Sequence, residues 1–176
     1  RLRELTEIFD ALTNAGLKAL TGLDGLYEFG FFWHIPALTS AGLAVLATLP
    51  HLQMLACEGT LCDDTAMAYI GAIPNLRRLN AQGTVATDAG FQALSRSQSL
   101  EALWGRECPN LTGPGFAAMA AMPKLQELGV SCKQVDDAAL STLPGFPALR
   151  KLVSIDIPDS GFRHVGRCER LEELSC

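Results

Sequence analysis

The 176-residue chain is poor in several features that would point directly to a chemistry. It holds three His, two Tyr and two Trp, and its 14 Lys and Arg are outnumbered by 19 Asp and Glu. A formal net charge of -5 argues against an extended phosphate-binding surface, because such surfaces depend on clustered cations that release counterions. Nucleic acid is therefore not the expected partner. No apolar run is long enough to cross a bilayer, and Arg1-Leu2-Arg3-Glu4-Leu5 lacks the basic-then-apolar layout of a secretory signal. The chain reads as soluble, without a membrane span. The missing initiator Met is what an excerpt or processed product would show.

Catalytic strings are missing too: there is no Gly-x-x-x-x-Gly-Lys-Ser/Thr, no Gly-x-Ser-x-Gly and no His-Glu-x-x-His. His34, His51 and His164 have no carboxylate or Cys at metal or triad spacing, and all three are expected at the surface. The expectation is a protein with no catalytic residue, no metal and no cofactor. Hydrophobic residues make up 48% of the chain and charged ones 19%, ample for a core built without disulfides. Cys57, Cys62, Cys108, Cys132, Cys168 and Cys176 are accordingly read as free thiols, which fits a reducing, cytoplasmic compartment.

What the chain does have is a repeat. A Leu-x-x-Leu-type motif recurs at Leu2/Leu5, Leu26/Phe29, Leu52/Leu55, Leu76/Leu79, Leu100/Leu103, Leu125/Leu128, Leu149/Leu152 and Leu171/Leu174. Successive starts lie 24, 26, 24, 24, 25, 24 and 22 residues apart. Each unit also carries a small-residue step into an apolar run, such as Ala41-Gly42-Leu43, Ala89-Gly90-Phe91 or Pro114-Gly115-Phe116. From the middle residue of each step to the next Leu start is always ten positions, so the length variation falls between the two elements. Packed elements hold register while a surface loop absorbs insertions.

The apolar runs recur at i, i+3, i+6, as in Leu17, Leu20, Leu23 and Leu43, Leu46, Leu49, which predicts a short helix with one buried stripe. Pro50, Pro74, Pro123 and Pro147 stop these helices. Thr13-Asn14, Thr39-Ser40, Asp63-Asp64, Thr87-Asp88, Asp136-Asp137 and Pro158-Asp159 mark their starts as caps, and Pro114 suits a first helical position. Repetition makes these acids structural. Cys57-x4-Cys62 beside Asp63-Asp64 is read as core and cap with no metal.

Each unit is thus one strand and one short helix, and neither hides its apolar face alone. Stacking predicts an α/β solenoid, a curved horseshoe or arc with parallel strands on the concave face and short helices on the convex face. The expected organisation is one domain over residues 1–176, about seven repeats plus a partial eighth strand, with starts near 2, 26, 52, 76, 100, 125, 149 and 171.

The unit from Leu76 through Leu79, Thr84, Thr87-Asp88-Ala89-Gly90-Phe91 to Leu94 resembles the leucine-rich-repeat superfamily, and its Thr-Asp-Ala-Gly-Phe and Gly42-Leu43-Ala44 steps resemble the cysteine-containing and bacterial GALA-type subclasses. The likeness spans essentially the whole chain. The family's usual Asn at the strand exit is replaced here by Thr60, Thr84 and Cys108, with Cys132 a further 24 residues on, so a weaker ladder of side-chain bonds is expected. The resemblance implies a protein-binding scaffold, as in the recognition parts of F-box-type ubiquitin ligase subunits, bacterial effectors and innate immune receptors.

Strand alternation turns the third, fifth and seventh positions of each motif outward on the concave sheet. The candidate contact residues are Trp104, Arg106, Arg78, Asn80, Gln82, Met54, Glu58, Phe32 and Lys151. Trp and Arg are the types most often found as interface hot spots. Trp104 stands among Ala102 and Gly129, and it either meets a partner or lies flat over the exposed backbone of Gly129. In the aromatic run Phe29, Phe31, Phe32, Trp33, the first two alternate inward, whereas Trp33 is a possible loop contact or the local core of a folded-back loop.

The expected function is a non-enzymatic protein-protein interaction module that binds on its concave face. The alternative is an assembly element or the recognition part of a larger effector or ubiquitin-ligase-type subunit. Leu171-Glu-Glu-Leu174 ends on a strand without a covering helix, so self-association into a homodimer through uncapped terminal repeats belongs to that second reading.

Overall fold

A computed structural model describes residues 3–7, 12–31, 35 and 37–175. Its strands are β1 (Glu4–Glu7), β2 (Glu28–Phe31), β3 (Met54–Cys57), β4 (Arg78–Asn80), β5 (Ala102–Gly105), β6 (Glu127–Ser131), β7 (Lys151–Ile155) and β8 (Glu173–Ser175). They form a single eight-stranded sheet in chain order, and every neighbouring pair is parallel. The second Leu of each motif lies in one row across the sheet, running Leu5, Phe29, Leu55, Leu79, Leu103, Leu128, Leu152, Leu174. Parallel strands cannot be joined by tight hairpins, so each coil needs a crossover. Short helices supply it: α1 (Asn14–Lys18), a nine-residue 3-10 helix (Ser40–Thr48), α2 (Asp64–Gly71), α3 (Asp88–Leu94), α4 (Gly113–Ala118), α5 (Asp137–Leu140) and α6 (Phe162–Val165).

Between sheet and helices runs one continuous apolar cluster from Leu17 to Val165. Phe29, Phe91 and Phe116 are its largest fully buried side chains. Neighbouring coils interlock through it, and the Phe116 and Phe146 rings meet with centroids 5.8 Å apart and planes tilted by 51°. Such tilted pairs contribute beyond the area they bury.

The i, i+3, i+6 leucines have a geometric reason. A 3-10 helix turns every three residues and eclipses positions three apart, so Leu43, Leu46 and Leu49 stack on one side and are all fully buried. In the first coil the same rhythm outlasts α1: the amides of Leu20, Leu23 and Leu26 bond back three residues to Leu17, Leu20 and Leu23 at 2.9–3.0 Å. Leu20 and Leu23 are only partly buried there.

The helix starts do more than cap. Thr13, Asp63, Thr87 and Asp136 accept bonds from amides of their own first turn. Thr39 and Thr112 do not, contrary to the expectation for Thr39, and their hydroxyls bond to the preceding coil: that of Thr39 accepts from the Asn14 amide, and that of Thr112 donates to Asp88. Asp64 repeats the pattern. Its carboxylate accepts from the Thr87 amide and hydroxyl, both at 2.7 Å, and from the Gly90 amide at 3.0 Å. The glycine of the Gly-Phe or Gly-Leu step is where that group arrives. A Cβ at Gly42, Gly90 or Gly115 would lie 2.4–2.5 Å from the side-chain oxygen of Asn14, Asp64 or Asp88.

The strand-exit row also differs in one member from the expected set. Thr60 is exposed, and fully buried Cys62 occupies the inward place. A 3-10 turn at Gly59–Leu61, with Gly59 at φ 66°, shifts the interior position by two residues. Thr84 donates to the Cys62 carbonyl and accepts from the Ala86 amide at 3.1 Å, while the Cys108 thiol donates to the Ser131 carbonyl at 3.8 Å. A thiol donor at that distance is a weak link.

Candidate functional site

Among the concave-face residues singled out by alternation, Met54, Arg78, Asn80, Gln82, Trp104 and Arg106 line one groove of about 490 Å³. Leu55, Leu79, Ala56 and Glu28 complete its lining. Four adjacent strands or their exits, β2 through β5, build it, with Asn80 and Trp104 register partners on β4 and β5. Glu28 and Ala56 were legible as members of the outward columns, but nothing in the sequence set them apart from the rest.

Trp104 is half-buried, and both readings of its position have a physical basis. Its indole lies against Gly129, where a Cβ would come within 2.9 Å of Cε3, and the Lys151 ammonium sits 5.7 Å from the ring centroid. Glycine on β6 therefore makes room for the ring. A cation over an indole face holds it further, and Lys151 is fixed in turn by Glu173 at 2.7 Å.

The polar side chains are ordered from below. Asn80 donates to Glu58 at 2.8 Å and accepts from the Gln82 amide at 3.3 Å. Burial raises the Glu58 carboxyl above its ordinary range, opposed by the bond from Asn80. Glu58 is half-buried beside the groove and does not line it. Arg78 reaches Glu127 at 3.9 Å across β5, which the register makes possible: Arg78, Ala102 and Glu127 are successive partners, and only the small Ala102 stands between them. Ala102 is consequently 1% exposed although its column faces outward, and Val153, the partner of Gly129, is likewise covered. Arg106 is exposed, and its guanidinium has no hydrogen-bond or ion-pair partner among the described residues.

Phe32, Trp33 and His34 lie outside the described residues. His51 is exposed, but His164 is a correction to the surface expectation. It is 5% exposed, with Nε2 3.1 Å from the Asp137 carboxylate and Nδ1 without a partner among the described residues. In this coil Pro158 holds the position of Thr87 and Thr112 and has no donor to offer, and Arg163 and His164 of α6, further along the chain, engage Asp137 instead. The bond from His164, then the Arg163 contacts, hold the Asp137 carboxyl below its ordinary range. Cys57, Cys62, Cys108, Cys132 and Cys168 are free thiols. Burial pushes the Cys132 thiol up to about 11, and the bond from Cys62 together with burial pushes Cys57 higher than a free thiol. Among the described residues no group of three His, Cys, Asp or Glu is placed to hold a metal, and no helix is long and apolar enough to cross a membrane.

An open parallel sheet in chain order, one short helix per coil and a leucine row in register define a leucine-rich-repeat solenoid. A chain of the TLR13–ssRNA13 complex, a leucine-rich-repeat protein, superposes with a TM-score of 0.54 at 18% identity, over 86% of this chain and 22% of that one. This chain therefore spans about a fifth of that protein's length. A chain of the yeast Rad7–Elc1 complex aligns at 16% identity over 94% of this chain and 63% of that one, with a TM-score of 0.33. No protein-family model and no curated protein sequence matches the chain.

Proposed function

We propose that this solenoid is a non-enzymatic recognition module that binds a protein on its concave face, with Trp104 at the centre of the contact. The observation that carries this reading is a groove of about 490 Å³ on the strand face, floored by apolar side chains and edged by two guanidinium groups. Ligand sites have this character and this size, apolar surface with a few convergent polar groups. Trp104 meets a further requirement of a hot spot, because Gly129 and Lys151 already hold its ring and little side-chain freedom remains to be lost on binding. The repeat architecture supports the same reading, since the coils differ mainly in the side chains they display on a shared scaffold.

The test begins with affinity capture from the native host and continues with titration of the recovered protein against purified variants. Trp104→Ala weakens binding at least tenfold, about 1.4 kcal/mol. Melting temperature and circular dichroism stay near wild type, because Trp104 stands outside the main apolar cluster. A folded Trp104→Ala protein with undiminished affinity removes the groove from consideration.

A further inference from the structure

We propose that the groove's ligand is an extended polypeptide segment in which an acidic side chain stands two positions from a large apolar one, the acid meeting Arg106 and the apolar group resting on Trp104. This inference rests on the concave-face reading and assigns the chemistry of the partner.

Three observations carry it. The first is charge left unmatched inside an acidic molecule. Lys151 is paired with Glu173 at 2.7 Å, whereas Arg106 has no acid among the described residues and Arg78 reaches Glu127 only at 3.9 Å, with its side chain 58% exposed. An exposed pair at that distance is worth little, so Arg78 is free to turn to a ligand. A planar guanidinium donates two parallel bonds to a carboxylate, and an acid brought to Arg106 can take both.

The second observation is spacing. Arg106 follows Trp104 by two residues on the same face of the sheet, a separation of roughly 7 Å. An extended ligand repeats that distance between its own side chains i and i+2. An apolar side chain seated on the indole and Met54 therefore delivers its second neighbour to Arg106. The third is the far end of the groove, where β2 contributes Glu28. A polymer with a negative charge on every unit is repelled there, while a peptide with one localised acid avoids it. This favours a polypeptide over a nucleic acid, for which two cations give only a small counterion gain.

The probe is a displayed library of random linear peptides, panned against the purified chain. Binders are expected to carry Asp or Glu two positions from Trp, Phe, Leu, Ile or Met. A synthetic binder loses at least tenfold in affinity when its acid becomes the amide, and Arg106→Glu selects Lys or Arg at the same place. The Arg106 side chain is exposed and has no partner among the described residues, so this variant folds, and Trp104→Phe gives a conservative second probe of the seat. Binders that depend on Trp104 yet show no preference for an acid overturn the partner chemistry and leave the concave-face reading intact. Binders equally tight to folded Trp104→Ala overturn that reading itself. Selection of no peptides, or single-stranded oligonucleotides binding more tightly than any selected peptide, overturns the polypeptide assignment.

Discussion

At the scale of single residues, the decisive positions are small ones. Gly129 is an outward-column residue whose missing side chain seats the Trp104 ring, and Ala102 is small enough for Arg78 and Glu127 to meet across it. Gly129→Ala places a Cβ 2.9 Å from Cε3, and the indole yields more easily than the strand backbone. In a Trp33→Phe background this substitution shifts Trp104 emission to longer wavelength and weakens ligand binding with little change in melting temperature. An unshifted spectrum shows that the ring does not depend on that seat. Trp104 was legible from alternation because a large aromatic on a column of mostly small residues, Ala56, Asn80 and Gly129 beside it, is conspicuous. Arg106 was found the same way. That it has no acid beside it among the described residues was not legible, since ion pairing depends on which neighbours in adjacent coils reach it.

At the scale of elements, the Thr-Asp-x-Gly step explains how one helix holds the next. The acid of one coil accepts bonds from the Thr and Gly of the following coil, and the Gly is there because the carboxylate fills the space of a Cβ. The sequence marks these residues as caps and a small-residue landmark, but a pattern within one repeat cannot reveal that its partners come from the next. Asp64→Ala leaves the Thr87 and Gly90 amides without their acceptor and costs about 2 kcal/mol. Gly90→Ala costs a similar amount, about 2 kcal/mol, through overlap with the same carboxylate. Combined, the two substitutions cost less than their sum, because removing the acid removes the closest overlap of the new methyl, leaving the contacts with Ala86 and the Asp64 backbone. Urea unfolding of the two single variants and the double variant measures this, and strict additivity contradicts the shared contact.

At the scale of the whole molecule, stability is a chain of nearest-neighbour interfaces, so a local change in protonation acts where it occurs and spreads outward. The interface between α5 and α6 depends on Asp137 engaging His164 and Arg163. Because the folded carboxyl titrates below its ordinary range, its contribution is fully present above the ordinary carboxylate value. It is lost as pH falls through the lower, folded value. Amide exchange in α6 therefore accelerates on acidification before that in α2 and α3, and Asp137→Asn removes the difference. Equal acid sensitivity along the whole solenoid contradicts this. The open sheet also leaves the groove as a surface shared by four coils, so no single repeat contains the site.

The sequence by itself determined the coil. Leucine spacing, proline stops and the constant ten-residue interval dictate one strand and one short helix per unit, because burying an apolar stripe allows few other solutions. It also determined which side chains emerge on the strand face, since alternation is a local property of the backbone. Tertiary structure decided the rest: that Cys62 and not Thr60 turns inward, that His164 is buried against Asp137, that Ala102 and Val153 are covered, and that Arg106 has no acid beside it among the described residues. Apart from the exchange of Cys62 for Thr60, which a local 3-10 turn sets, these depend on distances between residues about two dozen positions apart. Only stacking brings such residues together, and the repeat that predicts stacking does not specify what each coil places opposite its neighbour.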